Sequence, residues 1–333
     1  MSQAQARADR RWMGAALAFA EHSRGLVGTN PFVGCVVERE GRVLARGRTR
    51  ETGRPHAEAD ALGSLDEDLT AATIYVTLEP CAHNSQRGPA CTDILLTAKP
   101  ARIVVAALDP DPRTAGQGAK RLRAAGIDVT VGTCEAEARA QQAGFRTRIA
   151  LGRPRLTLKL ATSIDGRVAL ASGESQWITG EAARAHGHLI RAQSDGILTG
   201  RGTWEADSPS LTCRLQGLED RSPVPLLLSA TLTELPAPLI SRGGRLLHHT
   251  DQLADLAVND ILVEGGAGLA GTMLNADLID RLLVYRAPVL IGDTAPGAGR
   301  IDLPNLAAAH GRWRRTQTRA LGEDYLEIYE RTR

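Results

Sequence analysis

The sequence predicts an α/β protein of two domains, and three observations carry that expectation. The chain has 333 residues, too many for one ordinary core. Short apolar runs alternate with helix-periodic segments along most of it, the pattern of sheets covered by helices. At Gly152-Arg153-Pro154 a glycine and a proline stop a helical pattern, and a strand pattern restarts at Arg155-Leu156-Thr157-Leu158. The expected domains are therefore 1–151 and 152–333.

A first helix is expected where Trp12, Ala16, Leu17 and Ala20 fall at helical spacing, with Asp9 as its cap. Arg7, Arg10 and Arg11 ahead of an alanine-rich stretch imitate a signal peptide only superficially. Strands over 33–38 and 43–48 turn at Glu40-Gly41. Helix 56–65, strand 73–78, helix 91–98, strand 102–108, helix 117–125, strand 127–131 and a polar helix over 135–148 complete the first domain. In the second, strand 155–160 is followed by helix 181–193 and strands 196–199, 224–228 and 260–263, with helix 269–276 after a glycine run.

Hydrophobic residues make up 43% of the chain and charged residues 23%, which suits a soluble globular protein. A net charge of +2 from 40 basic and 38 acidic residues leaves no nucleic-acid footprint. With aromatics at 3% there is little material for base stacking, so a small-molecule substrate is favoured. No run approaches the length of a membrane span. Five cysteines, an odd count, fit a reducing compartment better than a disulfide framework, with Cys35, Cys134 and Cys213 as packing residues.

His56-Ala57-Glu58, then Glu79-Pro80-Cys81, then Cys91, supplies three zinc ligands and one carboxylate left over. Three protein ligands leave the fourth zinc position open for water, and Glu58 at the start of a helix would stand beside it to move protons. H-x-E followed by P-C-x-x-C is the zinc-deaminase signature. Here nine residues, not two, separate Cys81 from Cys91, so the second thiolate returns from a loop that is expected to touch substrate. Isolated H-x-E tripeptides and lone buried cysteines are common, and only the ordered combination carries the reading. A structural zinc would want a fourth ligand, for which His83 is the candidate. In the second domain, Gly266, Gly268 and Gly271 satisfy G-x-G-x-x-G before a helix. They read either as an anion-binding turn or, more simply, as a tight turn, since a dinucleotide fingerprint normally opens its domain.

At Asn30-Pro31-Phe32-Val33-Gly34-Cys35, Pro55-His56-Ala57-Glu58 and Thr77-Leu78-Glu79-Pro80-Cys81-Ala82-His83 the chain resembles the deaminase half of the bifunctional riboflavin-biosynthesis deaminase/reductase family. Lys159-Leu160-Ala161-Thr162-Ser163-Ile164-Asp165-Gly166-Arg167, Ser172-Gly173-Glu174-Ser175-Gln176-Trp177-Ile178-Thr179 and Val263-Glu264-Gly265-Gly266 resemble its reductase half. The resemblance implies a cytidine-deaminase-like three-layer domain followed by a dihydrofolate-reductase-like α/β domain. It implies zinc-dependent deamination of a diaminopyrimidinone ribosylamine 5′-phosphate, then NADPH-dependent reduction of the ribosyl to the ribityl chain. Cytoplasmic location and a homo-oligomer are expected with it.

By the same resemblance, Asn30, His83 and, more loosely, Arg87 line the deaminase pocket. Ala161, Trp177, Thr203, Asp207, Ser229, Gly266 and Gly268 match cofactor positions. Ser175, Arg191, Leu211, Arg214 and Glu264 match substrate positions, and Lys159 a lysine near the reaction. An arginine fork suits the substrate phosphate, so Arg191 or Arg214 is expected to hold it. Without the resemblance, Arg191 would read as a solvated helix face, Lys159 as a strand-edge charge and Trp177 as core. The stretch from Arg214 to Glu264 is shorter than the family's usual, lacking a strand and a helix between His249 and Asp260, so a trimmed periphery is expected. Two other readings remain: a zinc deaminase of another base or nucleotide with a non-catalytic second domain, and a non-catalytic zinc-stabilised NADP-binding module.

Overall fold

The computed structural model describes residues 2–63, 65–83, 87–292 and 295–333, and the chain divides into two compact units, Met1–Gly152 and Arg153–Arg333. The helices and strands of the first unit are α1 (Gln3–Ala20), β1 (Gly34–Arg39), β2 (Arg42–Arg48), α2 (Ala57–Leu62), β3 (Thr73–Val76), α3 (Cys91–Ala98), β4 (Arg102–Val105), α4 (Gln117–Ala124), β5 (Asp128–Val131), α5 (Glu135–Gln141) and α6 (Ala143–Leu151). Among the described residues its sheet has five strands in the order β2-β1-β3-β4-β5, with β1 antiparallel to both neighbours and β3, β4 and β5 parallel.

Side-chain alternation along the strands builds three layers. Cys35, Val37, Ile74, Val76, Ile103 and Val105 face Ala57, Leu95 and Leu122 of α2, α3 and α4. Val36, Tyr75 and Val104 point the other way, against Trp12, Met13 and Ala16 of α1 and Ala138 of α5.

Asp9 does not cap α1. Ser2 does, its hydroxyl accepting from the Gln5 amide at 3.1 Å, while Asp9 lies buried inside the helix and accepts from Arg102 (2.8 and 2.9 Å) and the Tyr75 hydroxyl (3.0 Å). The polar helix expected over 135–148 is two helices, α5 and α6, breaking at Gln142, whose buried side chain donates to the Phe32 carbonyl. Strand β3 ends two residues earlier than expected, so residues 77–81 leave the sheet at its carboxyl end and carry Glu79 and Cys81 to the α2 N-terminus.

The second unit contains β6 (Arg155–Thr162), α7 (Glu181–Ala192), β7 (Gly196–Gly200), α8 (Arg201–Asp207), β8 (Val224–Leu228), α9 (Ala237–Ile240), β9 (Arg245–Leu247), β10 (Asp260–Val263), α10 (Ala267–Asn275), β11 (Arg281–Arg286), β12 (Trp313–Leu321) and β13 (Asp324–Arg331). Among the described residues its sheet has eight strands in the order β12-β13-β11-β6-β10-β7-β8-β9. From β11 to β9 all neighbours run parallel, whereas β13 is antiparallel to both β11 and β12. Leu156, Leu158 and Leu160 of β6 pack with Leu269 and Met273 of α10, and Leu283 and Tyr285 of β11 pack with Ala183 of α7. Strands buried on both faces explain the continuous apolar runs at 224–228 and 260–263. Between Leu247 and Asp260 the regular structure is one short 3-10 turn, Thr250–Leu253.

Cys35 and Cys213 are buried free thiols and Cys134 is a half-buried one. Among the described residues no helix is long and apolar enough to cross a membrane.

Candidate functional site

Each unit carries a site. In the first, His56 has extended backbone immediately before α2, which puts Glu58 in the first helical turn, 3% exposed. Cys91 opens α3, and Cys81 comes from the segment that leaves β3. His56 Nδ1 lies 3.2 Å from Cys91 Sγ and 3.6 Å from Cys81 Sγ. The three donor atoms all fall within 4.8 Å of one another, forming the metal-capable cluster found among the described residues. Two thiols and an imidazole make a donor set that suits zinc. The Cys91 amide donates to Cys81 Sγ (3.3 Å), and Thr92 donates to the Cys81 carbonyl through its amide (3.2 Å) and its hydroxyl (3.1 Å), so the helix start positions both sulfurs. A hydrogen bond from the Cys91 thiol, then contact with His56, pulls Cys81 below the ordinary thiol range despite its burial. Burial pushes the Glu58 carboxyl up from the usual glutamate range, against the pull of His56.

Pro31, Val33, Thr49, His56, Glu58, Leu78, Glu79, Cys81 and Asp109 enclose a pocket of about 40 Å³, room for water-sized groups at the base of the site. Glu79 and Asp109 had no role assigned in the sequence reading. The Glu79 carboxylate accepts from the backbone amides of Asp109 (3.2 Å), Gly116 (2.8 Å) and Ala119 (3.0 Å), pinning the 109–119 segment against the pocket. Gly118 is part of that clamp, because a Cβ there would collide with the Pro80 carbonyl oxygen. Asp109 is pushed up to about 6 by burial and by the carboxylates of Asp111 and Glu79. An acidic residue directly before Pro-Cys was the available signal for Glu79; nothing local marked Asp109.

Asn30 donates to the Val27 carbonyl at 2.8 Å, and Arg87 donates to the Thr52 carbonyl at 2.8 Å. His83 pairs with Thr114 Oγ1 at 3.3 Å and is not part of the metal-capable cluster, so the fourth-ligand alternative gains no geometric support. Of the loop expected to touch substrate, residues 84–86 lie outside the described residues.

In the second unit, a cleft of about 1600 Å³ opens across the carboxyl ends of the parallel strands. All the residues expected there line it: Lys159, Ala161, Ser175, Trp177, Arg191, Thr203, Asp207, Leu211, Arg214, Ser229, Glu264, Gly266 and Gly268. Single-ligand pockets run to about 300–1,000 Å³, so this one has room for a cofactor and a substrate together.

Glu264 follows β10 and sits beside Lys159 because Val263 is in register with Leu158. Both its oxygens accept from Arg191, at 2.9 Å each, and the Lys159 ammonium is 4.0 Å away. Burial alone would raise this carboxyl; Lys159 and Arg191 override it and hold the group down at about 2. Arg191 is thus no solvated face. Its remaining nitrogen donates to the Thr212 carbonyl at 2.9 Å, so its fork is already committed and the expectation that it holds a phosphate passes to Arg214. Arg214 is exposed, with one nitrogen 3.4 Å from Ser210 Oγ.

Trp177 is 65% exposed, not core, and the Arg184 guanidinium lies over its ring at 5.0 Å. The Thr203 hydroxyl accepts from the Gly266 amide at 3.1 Å, fastening the glycine turn to α8. Gly271 answers to packing: a Cβ there would press on the backbone of Arg300. The tight-turn reading therefore accounts for the third glycine.

Two protein families match. Residues 6–107 match the cytidine and deoxycytidylate deaminase zinc-binding region, and residues 154–326 match the RibD C-terminal domain. The riboflavin biosynthesis protein RibD of Escherichia coli is 38% identical over 331 residues, covering 87% of this chain and 90% of that one. The protein of the same description from Aquifex aeolicus is 35% identical over 355 residues, covering 97% and 98%. Among solved structures, a diaminohydroxyphosphoribosylaminopyrimidine deaminase/5-amino-6-(5-phosphoribosylamino)uracil reductase from Thermotoga maritima superimposes with a TM-score of 0.89 at 28% identity, over 98% of this chain and 100% of that one. Acinetobacter baumannii RibD gives a TM-score of 0.85 at 33% identity, with the same coverage.

Proposed function

The chain belongs to the RibD family of bifunctional riboflavin-biosynthesis enzymes, and from that membership we propose which residues perform its two reactions and on what substrate. It is a deaminase and a reductase, with zinc and NADPH as cofactors. The substrate is 2,5-diamino-6-ribosylamino-4-pyrimidinone 5′-phosphate, whose ring amine is exchanged for oxygen with release of ammonia. The ribosyl unit of the product then gains two hydrogens to become ribityl.

In the first unit, His56, Cys81 and Cys91 hold the zinc. Bound there, the metal supplies Lewis-acid activation of water at neutral pH. Glu58 accepts a proton from the attacking water and delivers it to the departing amine, a role that its burial and its raised proton affinity support. Asn30, His83 and Arg87 contact the nucleotide at the mouth of the pocket, and Glu79 keeps the opposite wall in place.

In the second unit, Ala161, Trp177, Thr203, Asp207, Ser229, Gly266 and Gly268 hold NADPH, which supplies the hydride. Lys159 and Glu264 face the ribosyl group. Arg191 fixes the carboxylate of Glu264 in one orientation, and Ser175 and Leu211 border the substrate while Arg214 holds its phosphate. The single observation that carries the pairing of reactions is that thirteen residues drawn from distant motifs line one cleft large enough for both ligands. A non-catalytic second domain is not favoured. The protein is proposed to work in the cytoplasm as a homo-oligomer. Supplying the diaminopyrimidinone nucleotide with and without NADPH, and identifying products by mass, tests the whole reading. The deaminated ribosyl compound is expected without NADPH and the ribityl compound with it; unchanged substrate in both would refute it.

A further inference from the structure

His188 lines the large cleft and has no part in the reactions as assigned above. It lies on α7 one turn before Arg191, so the two side chains share a helix face. That face fastens the segment that carries Leu211 and Arg214. Arg191 Nη1 donates to the Thr212 carbonyl at 2.9 Å, the Cys213 thiol donates to the His188 carbonyl at 3.4 Å, and the Arg214 amide donates to His188 Nδ1 at 3.3 Å. Arg242 adds donors to the carbonyls of Ser210 (2.6 Å) and Leu211 (3.2 Å). The segment needs such fastening, because buried Leu211 has a φ of 52°, a left-handed conformation that a bulky side chain takes only where its surroundings enforce it.

One of these bonds depends on a proton. To accept from the Arg214 amide, Nδ1 must be bare, so the neutral ring carries its hydrogen on Nε2. A protonated ring has hydrogen on both nitrogens and offers Arg214 no acceptor. The charged groups facing the ring are Arg191 on its own helix, Arg214 on the fastened segment and Glu264 at the end of β10. Helix α7 also packs on the 3-10 turn Glu219–Arg221, which includes Asp220, and on β13, where Asp324 accepts from the Gly180 amide (2.7 Å) and Glu327 pairs with Arg286 (3.1 Å). Burial, with the charges of Arg191 and Arg214, pushes His188 down from the ordinary histidine value against the pull of Glu264. The ring is therefore neutral at neutral pH, and its bond to Arg214 is intact there.

We propose that His188 is a positioning residue of the reductase: through Nδ1 it fixes the backbone of Arg214 and thereby sets the reach of that guanidinium to the phosphate of the substrate. The assignment rests on the reading of Arg214 as the residue that holds the phosphate. It does not require His188 to touch the substrate. Its consequence is a site whose grip on the phosphate weakens as pH falls through the ring's lowered pKa, since only the neutral ring can accept from Arg214.

Steady-state reduction by the full-length zinc-loaded protein, followed by NADPH absorbance, tests this with the deaminated nucleotide and with its dephosphorylated form. The proteins are the wild type, H188A and H188N, whose side-chain oxygen keeps an acceptor near the position of Nδ1 and does not titrate. At neutral pH, H188A should raise KM for the nucleotide roughly 3- to 10-fold with kcat little changed, the loss of one hydrogen bond, and H188N should recover most of that. Towards the dephosphorylated form, kcat/KM should be the same in all three. On lowering the pH to about 5, the wild type should lose affinity for the nucleotide that H188N keeps. Ionisation of the phosphate itself falls equally on both proteins and cancels in their ratio. Equal KM in H188A and the wild type, an equal loss towards the dephosphorylated form, or one pH profile shared by the wild type and H188N would each remove the positioning role while the reductase reading stands. A wild type that oxidises no NADPH with the nucleotide would remove that reading, and this inference with it.

Discussion

The first unit gathers its chemistry from three short stretches around a pocket of about 40 Å³; the second draws on the ends of several strands and helices around a cleft of about 1600 Å³. A metal needs only three donor atoms in the right place, and here a helix start, a second helix start and the tail of a strand supply them. A dinucleotide and a nucleotide need many weaker contacts spread over a much longer surface. Damage to the first site should therefore be close to all-or-none, and damage to the second graded. Substitutions that fail to follow that pattern would undo the contrast.

The largest effect is expected for Glu58→Gln, where deamination should drop roughly 10²- to 10⁴-fold with zinc retained, because the carboxylate moves protons without holding metal. Metal analysis beside an ammonia-release assay checks both halves, and reduction of authentic deaminated substrate should persist in the same protein. Cys91→Ser comes next: the zinc content should fall well below the roughly one per chain expected of the wild type, taking deamination with it. Full zinc in Cys91→Ser together with its loss in His83→Ala would reassign the ligand set.

For the second unit, Glu264→Gln should slow reduction about 10- to 100-fold, read by NADPH absorbance, and leave zinc and deamination alone, since it uncouples Lys159 and Arg191 from their shared anion. The same residue predicts an acid dependence. Its carboxyl sits at about 2 in the folded chain, below the ordinary glutamate value of about 4.3, so its stabilisation is complete above the latter and disappears as pH falls towards the former. Thermal melts between those limits should lose on the order of 2–3 kcal/mol in the wild type, and Glu264→Gln should flatten that slope. The smallest effect is expected for Arg214→Ala, a rise of about tenfold in KM for the phosphorylated substrate with kcat little changed. Equal loss towards the dephosphorylated compound would remove the phosphate role.

The same contrast explains what could be read in advance. His56, Glu58, Cys81 and Cys91 were legible because ligand spacing is a local property of sequence. Asp9 was misread because a carboxylate near a helix start looks like a cap; its true partner, Arg102, is 93 residues away. The break at Gln142 had a similarly distant cause, the Phe32 carbonyl. Arg191 and Glu264 meet across 73 residues, so motif resemblance could place both at the cleft yet could not show that they occupy each other. The C-terminal strands β11, β12 and β13 went unread, and β12 shows why. Its residues from Arg314 to Ala320 are all exposed, so no alternation of buried and exposed positions marks them as a strand.

The order of strands in the larger sheet bears on how this enzyme can change. Lys159 lies on β6, flanked on both sides by paired strands, whereas His248 follows β9, a three-residue strand at the sheet's margin. Backbone amides of β6 should exchange with deuterium only on global unfolding, while those of β9 should exchange through local opening. The margin of the cleft beyond β9 is thus the part of the sheet that can be rebuilt, by mutation or by descent, without disturbing the strand that carries Lys159.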